Sequence, residues 1–266
     1  MSSKTSILAV ACGAVMVTTG AQADGLGRSA PSAPPVIATG TSPVPALAFP
    51  GIYGTASAIP APGGTGFVGL TYVNPRDGIS GRGDDGDLSF GYTFGSPVDN
   101  VSVTLAANIL GLDPFADSGD FYVGLSRMLR AGGNSATFVG ASSNGWGGWG
   151  DAEDKAVSSS VYVSHLVAFP MAGGSELPVQ FTLGYGDNTT LSDTGNGQVD
   201  GGVIYGVGVG VTPTLSASLS GTETQVNMGL GLTVPSVPGL GFSAGVLDVT
   251  DNTNRQQFSL TAAFAF

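Results

Sequence analysis

The stretch "RQQFSLTAAFAF", residues 255 to 266, carries an apolar residue at every second position and ends on an aromatic one. Terminal residues left in water fray, so an alternation kept to the last residue predicts a strand paired along its whole length. Phe258, Leu260, Ala262, Phe264 and Phe266 fall on one face, and Gln257, Ser259, Thr261, Ala263 and Ala265 on the other. An apolar medium has to cover the first face.

Composition narrows what that medium is. The chain is 42% hydrophobic and only 10% charged, with 44 glycines in 266 residues, whereas soluble domains carry about a quarter charged residues. No stretch beyond the N-terminus reaches the roughly 18 apolar residues that a membrane helix needs, because Gly, Ser, Thr and Asn interrupt every run. A bilayer can be spanned by this chain only as strands.

The N-terminal stretch reads as an export address. Lys4 precedes the apolar run Ile7 to Val17, and Ala21-Gln22-Ala23 before Asp24 fits a secretory cleavage site, so residues 1–23 are predicted to be a signal peptide cut between Ala23 and Asp24. Two other readings stand beside it: a short core helix, and acylation at Cys12, which would strand apolar residues 13 to 17 on the mature chain. Cys12 is the only cysteine, so no disulfide framework is expected in the exported protein. Removing residues 1 to 23 takes away Lys4 and no acid, and the formal charge of −11 becomes −12. Such a chain cannot assemble the basic face that nucleic acid requires.

Residues 24–65 are rich in Pro, Ala and Gly, with no strand periodicity; "DGLGRSAPSAPPVIATGTSPVPALAFPGIYGTASAIPAP" (24 to 62) reads as an arm or linker. Its composition leaves open whether it enters a lumen or lies outside one. From residue 66 to 266 the pattern changes to short alternating runs separated by turn-rich segments. Leu88, Phe90, Tyr92 and Phe94 alternate with Asp87, Ser89, Gly91 and Thr93, and Val101 to Ile109 repeats the pattern. The other predicted strands are 66 to 74, 120 to 130, 135 to 143, 156 to 168, 178 to 186, 201 to 211, 214 to 221, 225 to 234, 240 to 249 and 255 to 266, making twelve, with an uncertainty of two from the weak run at 135 and the short one at 214. Most approach the 9 to 11 residues of a tilted transmembrane strand rather than the usual 5 or 6. Connections alternate between polar, acidic ones such as "PRDGISGRGDDG" and "NGWGGWGDAEDK" and shorter, mostly uncharged ones such as "AGGN" and "TPT". Long extracellular loops, short periplasmic turns and an even strand number would place both chain ends in the periplasm.

On these features residues 66 to 266 resemble Gram-negative outer-membrane β-barrel proteins of the porin-like kind. Phe258, Leu260, Phe264 and Phe266 look like the C-terminal signature that the barrel-assembly machinery reads in that class. The resemblance implies an antiparallel up-and-down transmembrane barrel of about twelve strands in the outer membrane, in contact with lipid and lipopolysaccharide. Closure follows from physics as well: hydrocarbon offers unpaired backbone groups no partner, and each would cost several kcal/mol. A soluble β-sandwich accounts for the same residues less well, since a single core seldom absorbs so many long strands with so few charges.

Two residues disturb the alternation. Arg127 continues the outward parity of Phe121, Val123 and Leu125, and His165 that of Val161, Val163 and Val167. Both precede the predicted periplasmic ends of their strands by about three residues, where an outward Arg costs about 0 to 1 kcal/mol rather than the 2 to 4 of midplane. A bulge turning Arg127 into the lumen is the alternative. His165 is the only histidine, so Ser–His catalysis would need it with Ser164 or Ser160. The stretch "VSHLVAF" lacks the residues that accompany such a His in outer-membrane phospholipases, and the rim that omptin proteases use is the opposite one. No enzyme and no cofactor is expected.

Acidic residues gather at the predicted extracellular mouth, in Asp84, Asp85, Asp87, Asp151, Glu153 and Asp154, while Asp187, Asp193 and Asp200 are weak metal candidates without EF-hand spacing. Trp146 and Trp149 read as an interfacial aromatic belt. Ile204, Gly206, Gly208 and Gly210 opposite Val203, Tyr205, Val207, Val209 and Val211 predict a polar, small-residue lumen. The function expected is a narrow passive channel for small solutes or ions, cation-preferring. The alternative is a non-conducting structural or surface-interaction barrel whose lumen is plugged by residues 24 to 62.

Overall fold

The computed structural model describes residues 50–75, 84–112, 115–153, 156–172, 174–191, 199–252 and 256–266, with backbone only for residues 188–191, 199 and 200. Cys12, Ala23, Asp24, Asp154, Asp193 and the side chain of Asp200 lie outside that description.

Twelve strands follow one another in sequence: β1 (Thr65–Val73), β2 (Asp85–Gly95), β3 (Ser102–Ile109), β4 (Gly119–Gly132), β5 (Ser135–Trp149), β6 (Ser158–Pro170), β7 (Glu176–Leu191), β8 (Val199–Gly210), β9 (Leu215–Gly221), β10 (Val226–Thr233), β11 (Leu240–Leu247) and β12 (Gln257–Ala265). Each pairs antiparallel with the next, and β1 also pairs with β12, from Phe67 opposite Ala265 to Val73 opposite Ser259. The sheet therefore closes into a barrel with no free edge. The opening stretch takes its predicted place as the closing strand, and Phe266 exchanges main-chain bonds of 2.8 and 2.9 Å with Gly66.

Side chains divide by parity. Outward positions carry Leu70, Tyr72, Phe90, Phe94, Leu105, Phe121, Val161, Leu183, Leu230, Phe258 and Leu260, all exposed, which makes an apolar belt around the wall that water would solvate poorly. Inward positions are mostly hydroxyls, amides and glycines, tied across strands by pairs such as Thr71 with Thr261 (2.9 Å), Thr93 with Thr104 (3.1 Å) and Ser164 with Thr182 (2.7 Å). These rungs satisfy polar groups that the closed wall keeps from water.

Two strands outrun their apolar runs. β5 continues to Trp149 and β7 to Leu191, beyond the expected ends at 143 and 186. Ladder bonds require only backbone, so the polar "NGWGG" stretch pairs with β4 up to Trp149 opposite Gly119, through register shifts near Phe121. β1 begins and β12 ends at one end of the barrel, here called the terminal rim. The connections β2–β3, β4–β5, β6–β7, β8–β9 and β10–β11 lie there too, and the others lie at the opposite rim.

Candidate functional site: the lumen and the segment inside it

Residues Pro50 to Pro62, just ahead of β1, lie inside the barrel, nearly all of them buried. The segment enters beside Gly208, two residues from the terminal-rim end of β8. It climbs to a turn at Tyr53-Gly54 beside Asn227 near the opposite-rim end of β10, then descends past Ser164 at mid-strand of β6 to Gly64, whose N–H donates to Thr93 O at 2.7 Å. Both limbs therefore use the terminal rim. Gly54 adopts a φ of +75° at the turn, a conformation costly for other residues.

Wall and segment are matched in chemistry. Ser218 Oγ accepts from Tyr53 N at 3.0 Å, Ser164 Oγ accepts from Ala58 N at 2.8 Å, and Gln180 Nε2 donates to Ser57 Oγ at 2.6 Å. Ser220 and Ser126 donate their hydroxyls to the carbonyls of Tyr53 and Ala58. The Tyr53 hydroxyl lies 2.5 Å from Ser259 Oγ. Such bonds answer the requirement that an irregular buried backbone find partners.

Matching shape comes from missing side chains. A Cβ on Gly245 would sit 2.5 Å from the Tyr53 ring and one on Gly206 2.5 Å from Ile52, and Gly229 also leaves no room for a Cβ beside Tyr53. Apolar contacts complete the fit: Ala56, Ala58 and Ile59 cluster with Phe138, Tyr162, Leu166 and Ile204, and Ala61 with Phe67, Ala106, Tyr122 and Ala265. Sequence reading left the arm's position open and set Ile204, Gly206 and Gly208 on the inner face, but overlooked Tyr53 and most of the other wall residues that meet the segment. The signal was present in the large side chains at inward parity, Phe67, Tyr122, Phe138, Tyr162, Leu166 and Ile204, which a water-filled lumen does not need.

The acidic residues do not form one group. Asp84, Asp151 and Glu153 are exposed at the opposite rim, the latter two around the 3-10 turn Gly150–Ala152. Asp85 and Asp87 belong to β2 rather than to a loop; Asp85 Oδ1 accepts from Gly86 N (2.7 Å) and Leu112 N (3.2 Å), and Asp87 is buried in the wall. A buried relay missed at the sequence level runs from Ser89 Oγ to Asn108 Oδ1 (3.0 Å) and from Asn108 Nδ2 to Asp120 Oδ1 (2.7 Å). Asp187 is exposed on β7. Among the described residues no three His, Cys, Asp or Glu side chains are placed to hold a metal ion.

Arg127 is outward and exposed, opposite Val139. The bulge weighed as its alternative occurs one step later, between Met128 and Arg130, and leaves Arg127 on the outer face. His165 is half-buried on the outer face, its Nδ1 2.9 Å from Thr137 Oγ1. Ser164 and Ser160 point to the inner face, bonded to Thr182 (2.7 Å) and Ser142 (2.9 Å), so neither forms a dyad with that imidazole. Trp146 is exposed, with Nε1 donating to Ser143 Oγ at 2.9 Å; Trp149 donates to Ala116 O at 3.2 Å and packs on Phe121.

No protein-family model and no curated protein matches the chain. Among solved structures it is similar to the KdgM porin in complex with disordered oligogalacturonate, at 9% identity and TM-score 0.49, over 75% of this chain and 99% of that one. It is similar to the NanC porin at 9% identity and TM-score 0.47, over 74% and 98% of the two chains. The COG4313 outer membrane channel from Pseudomonas putida F1 aligns at 10% identity and TM-score 0.47, over 78% and 97%. The twelve-stranded closure stands on this chain's own strand pairing.

Proposed function

We propose that the chain is a bacterial outer-membrane barrel that passes small solutes or ions, cations preferred, along a lumen that Pro50 to Pro62 occupy in the state described. The observation that carries this reading is what fills the lumen. Small barrels normally fill their interiors with wall side chains. Here the wall recedes to glycine and hydroxyl groups beside the first limb, keeps Phe67, Tyr122, Phe138, Tyr162 and Leu166 as large inward side chains beside the second, and a separate segment takes the space between. Its withdrawal leaves a path lined by hydroxyls and glycines together with those large side chains.

The remaining elements of the reading have their own support. The apolar belt calls for hydrocarbon, with outer-membrane lipid and lipopolysaccharide as neighbours and the terminal rim in the periplasm. The formal charge of −11 and the exposed acids of the opposite rim favour cations at the mouth. Phe258, Leu260, Phe264 and Phe266 serve as the signal to the barrel-assembly machinery.

Planar-bilayer recording tests the reading. The mature chain is expected to conduct weakly, and a variant with residues 50–62 replaced by a Gly/Ser stretch of equal length to conduct severalfold more, with a reversal potential of cationic sign under a salt gradient. Anionic sign would overturn the charge argument. Silence from both would favour a non-conducting surface-interaction barrel, a reading supported by the many bonds that hold the segment to the wall.

A further inference from the structure

Among the described residues Arg127 and Arg130 are the only arginines or lysines, and His165 is the only histidine of the chain. All three lie on the outer face, the two arginines on β4 and His165 on β6, with β5 between them. Simple alternation would turn Arg130 inward, like Ser126 and Met128. The bulge after Met128 sets it opposite Thr137, which is itself opposite His165, while Arg127 stands opposite Val139 and that residue opposite Val163. Three basic groups thus occupy two neighbouring outward rows across a span of about 10 Å, two interstrand spacings. Thr137 fixes the His165 ring through Nδ1 at 2.9 Å, which leaves Nε2 for another partner. Neither guanidinium has a hydrogen-bond or ion-pair partner among the described residues.

A second feature adjoins the first. From His165 a groove of about 600 Å³ runs across the outer face of β6 to β9, walled by Val163, Phe181, Leu183, Tyr205 and Val207.

We propose that this face binds an anionic glycerophospholipid, with the headgroup phosphate held by Arg127, Arg130 and His165 and one acyl chain lying in the groove. The proposal rests on the membrane placement argued above. The guanidinium groups are tolerated at this depth and have no partner among the described residues, and a phosphate oxygen pair matches their fork of donors. A net negative headgroup also complements the one basic patch described on an acidic chain. The groove is apolar and opens toward the belt, as an acyl chain requires.

Native mass spectrometry of the detergent-solubilised mature chain tests it, with phosphatidylglycerol and phosphatidylcholine of identical acyl chains and, separately, inorganic phosphate. Phosphatidylglycerol is expected to be retained about tenfold better than phosphatidylcholine. Arg127→Gln with Arg130→Gln should abolish that preference while heat-modifiable migration stays intact, and Leu183→Trp, which fills the groove, should lower retention of both lipids. Equal retention of the two lipids, or a preference untouched by the double variant, overturns the proposal. Displacement by inorganic phosphate at equal concentration also overturns it, because the patch would then be a simple anion site. A chain that shows no heat-modifiable barrel in detergent overturns the membrane placement itself, which separates that failure from failure of the lipid site.

Discussion

Tyr53 is the residue on which the closed lumen turns. Its ring lies against two glycines of different strands, its hydroxyl meets Ser259, and its main chain is bonded on both sides. A side chain at Gly229 has to displace it. Gly229→Val is therefore expected to lower stability by about 1 to 3 kcal/mol, the usual cost of overpacking, and to raise conductance toward that of the segment-replaced variant. Gly132→Ala, where a Cβ meets nothing within 4 Å, should do neither. Bilayer recording together with the midpoint of heat-modifiable migration checks both. At this scale the sequence was legible where parity was unbroken: Arg127 and His165 stand outward as their spacing requires. Arg130 was not, because one extra residue in a strand reverses every parity after it, and nothing in "SRMLRAG" marks where the extra residue sits. Tyr53 was hidden for a different reason. A segment without period carries no indication of which surface will accept it.

Elements were easier to read than their ends. All twelve strands occur where alternation placed them, since one apolar face and one polar face leave little freedom of register. The misjudged limits belong to β5 and β7, whose outer parts are held by backbone pairing with side chains that read as turn formers. The bulge in β4 gives a test at this scale. Deleting Leu129 removes the surplus residue and keeps Arg130 opposite Thr137, so the barrel should still form and migrate normally. Deleting Val123 flips the rest of the strand, Arg127 included, and should abolish folded barrel; comparable behaviour of the two deletions would contradict the register. The closing strand provides another. Removing Phe266 costs two main-chain bonds to Gly66 and the ring stacked at 6.1 Å on Phe264. Folded protein in the outer-membrane fraction is expected to fall severalfold, and an unchanged yield would show that the residue is no assembly signal.

For the molecule as a whole, charge is distributed by side. Asp84, Asp151, Glu153, Glu223 and Asp251 stand exposed toward the opposite rim, whereas the terminal one carries exposed Asp99 and Glu176 with the described arginines nearby. Mouth charges act through solvent, and the screening length shrinks from about 10 Å at 0.1 M salt to about 3 Å at 1 M. The cation preference of the segment-replaced variant should therefore decline toward parity over that range, measured as reversal potential at a fixed gradient ratio. A preference independent of ionic strength would place selectivity deeper, at buried Asp87 and Asp120. Closure and the apolar belt were legible at this scale, because they follow from composition and an even strand count. The filled lumen was not, because it depends on complementarity between parts far apart in the chain.

The path of Pro50 to Pro62 has one further consequence. The looped piece goes in and comes out by the same mouth, so it is related to the wall as a finger to a glove and not as a thread to a needle. No strand has to part and no seam has to reopen for it to slide free. The wall can be completed before it is corked, and withdrawal of Pro50 to Pro62 through the terminal rim would uncork it with all twelve ladders whole.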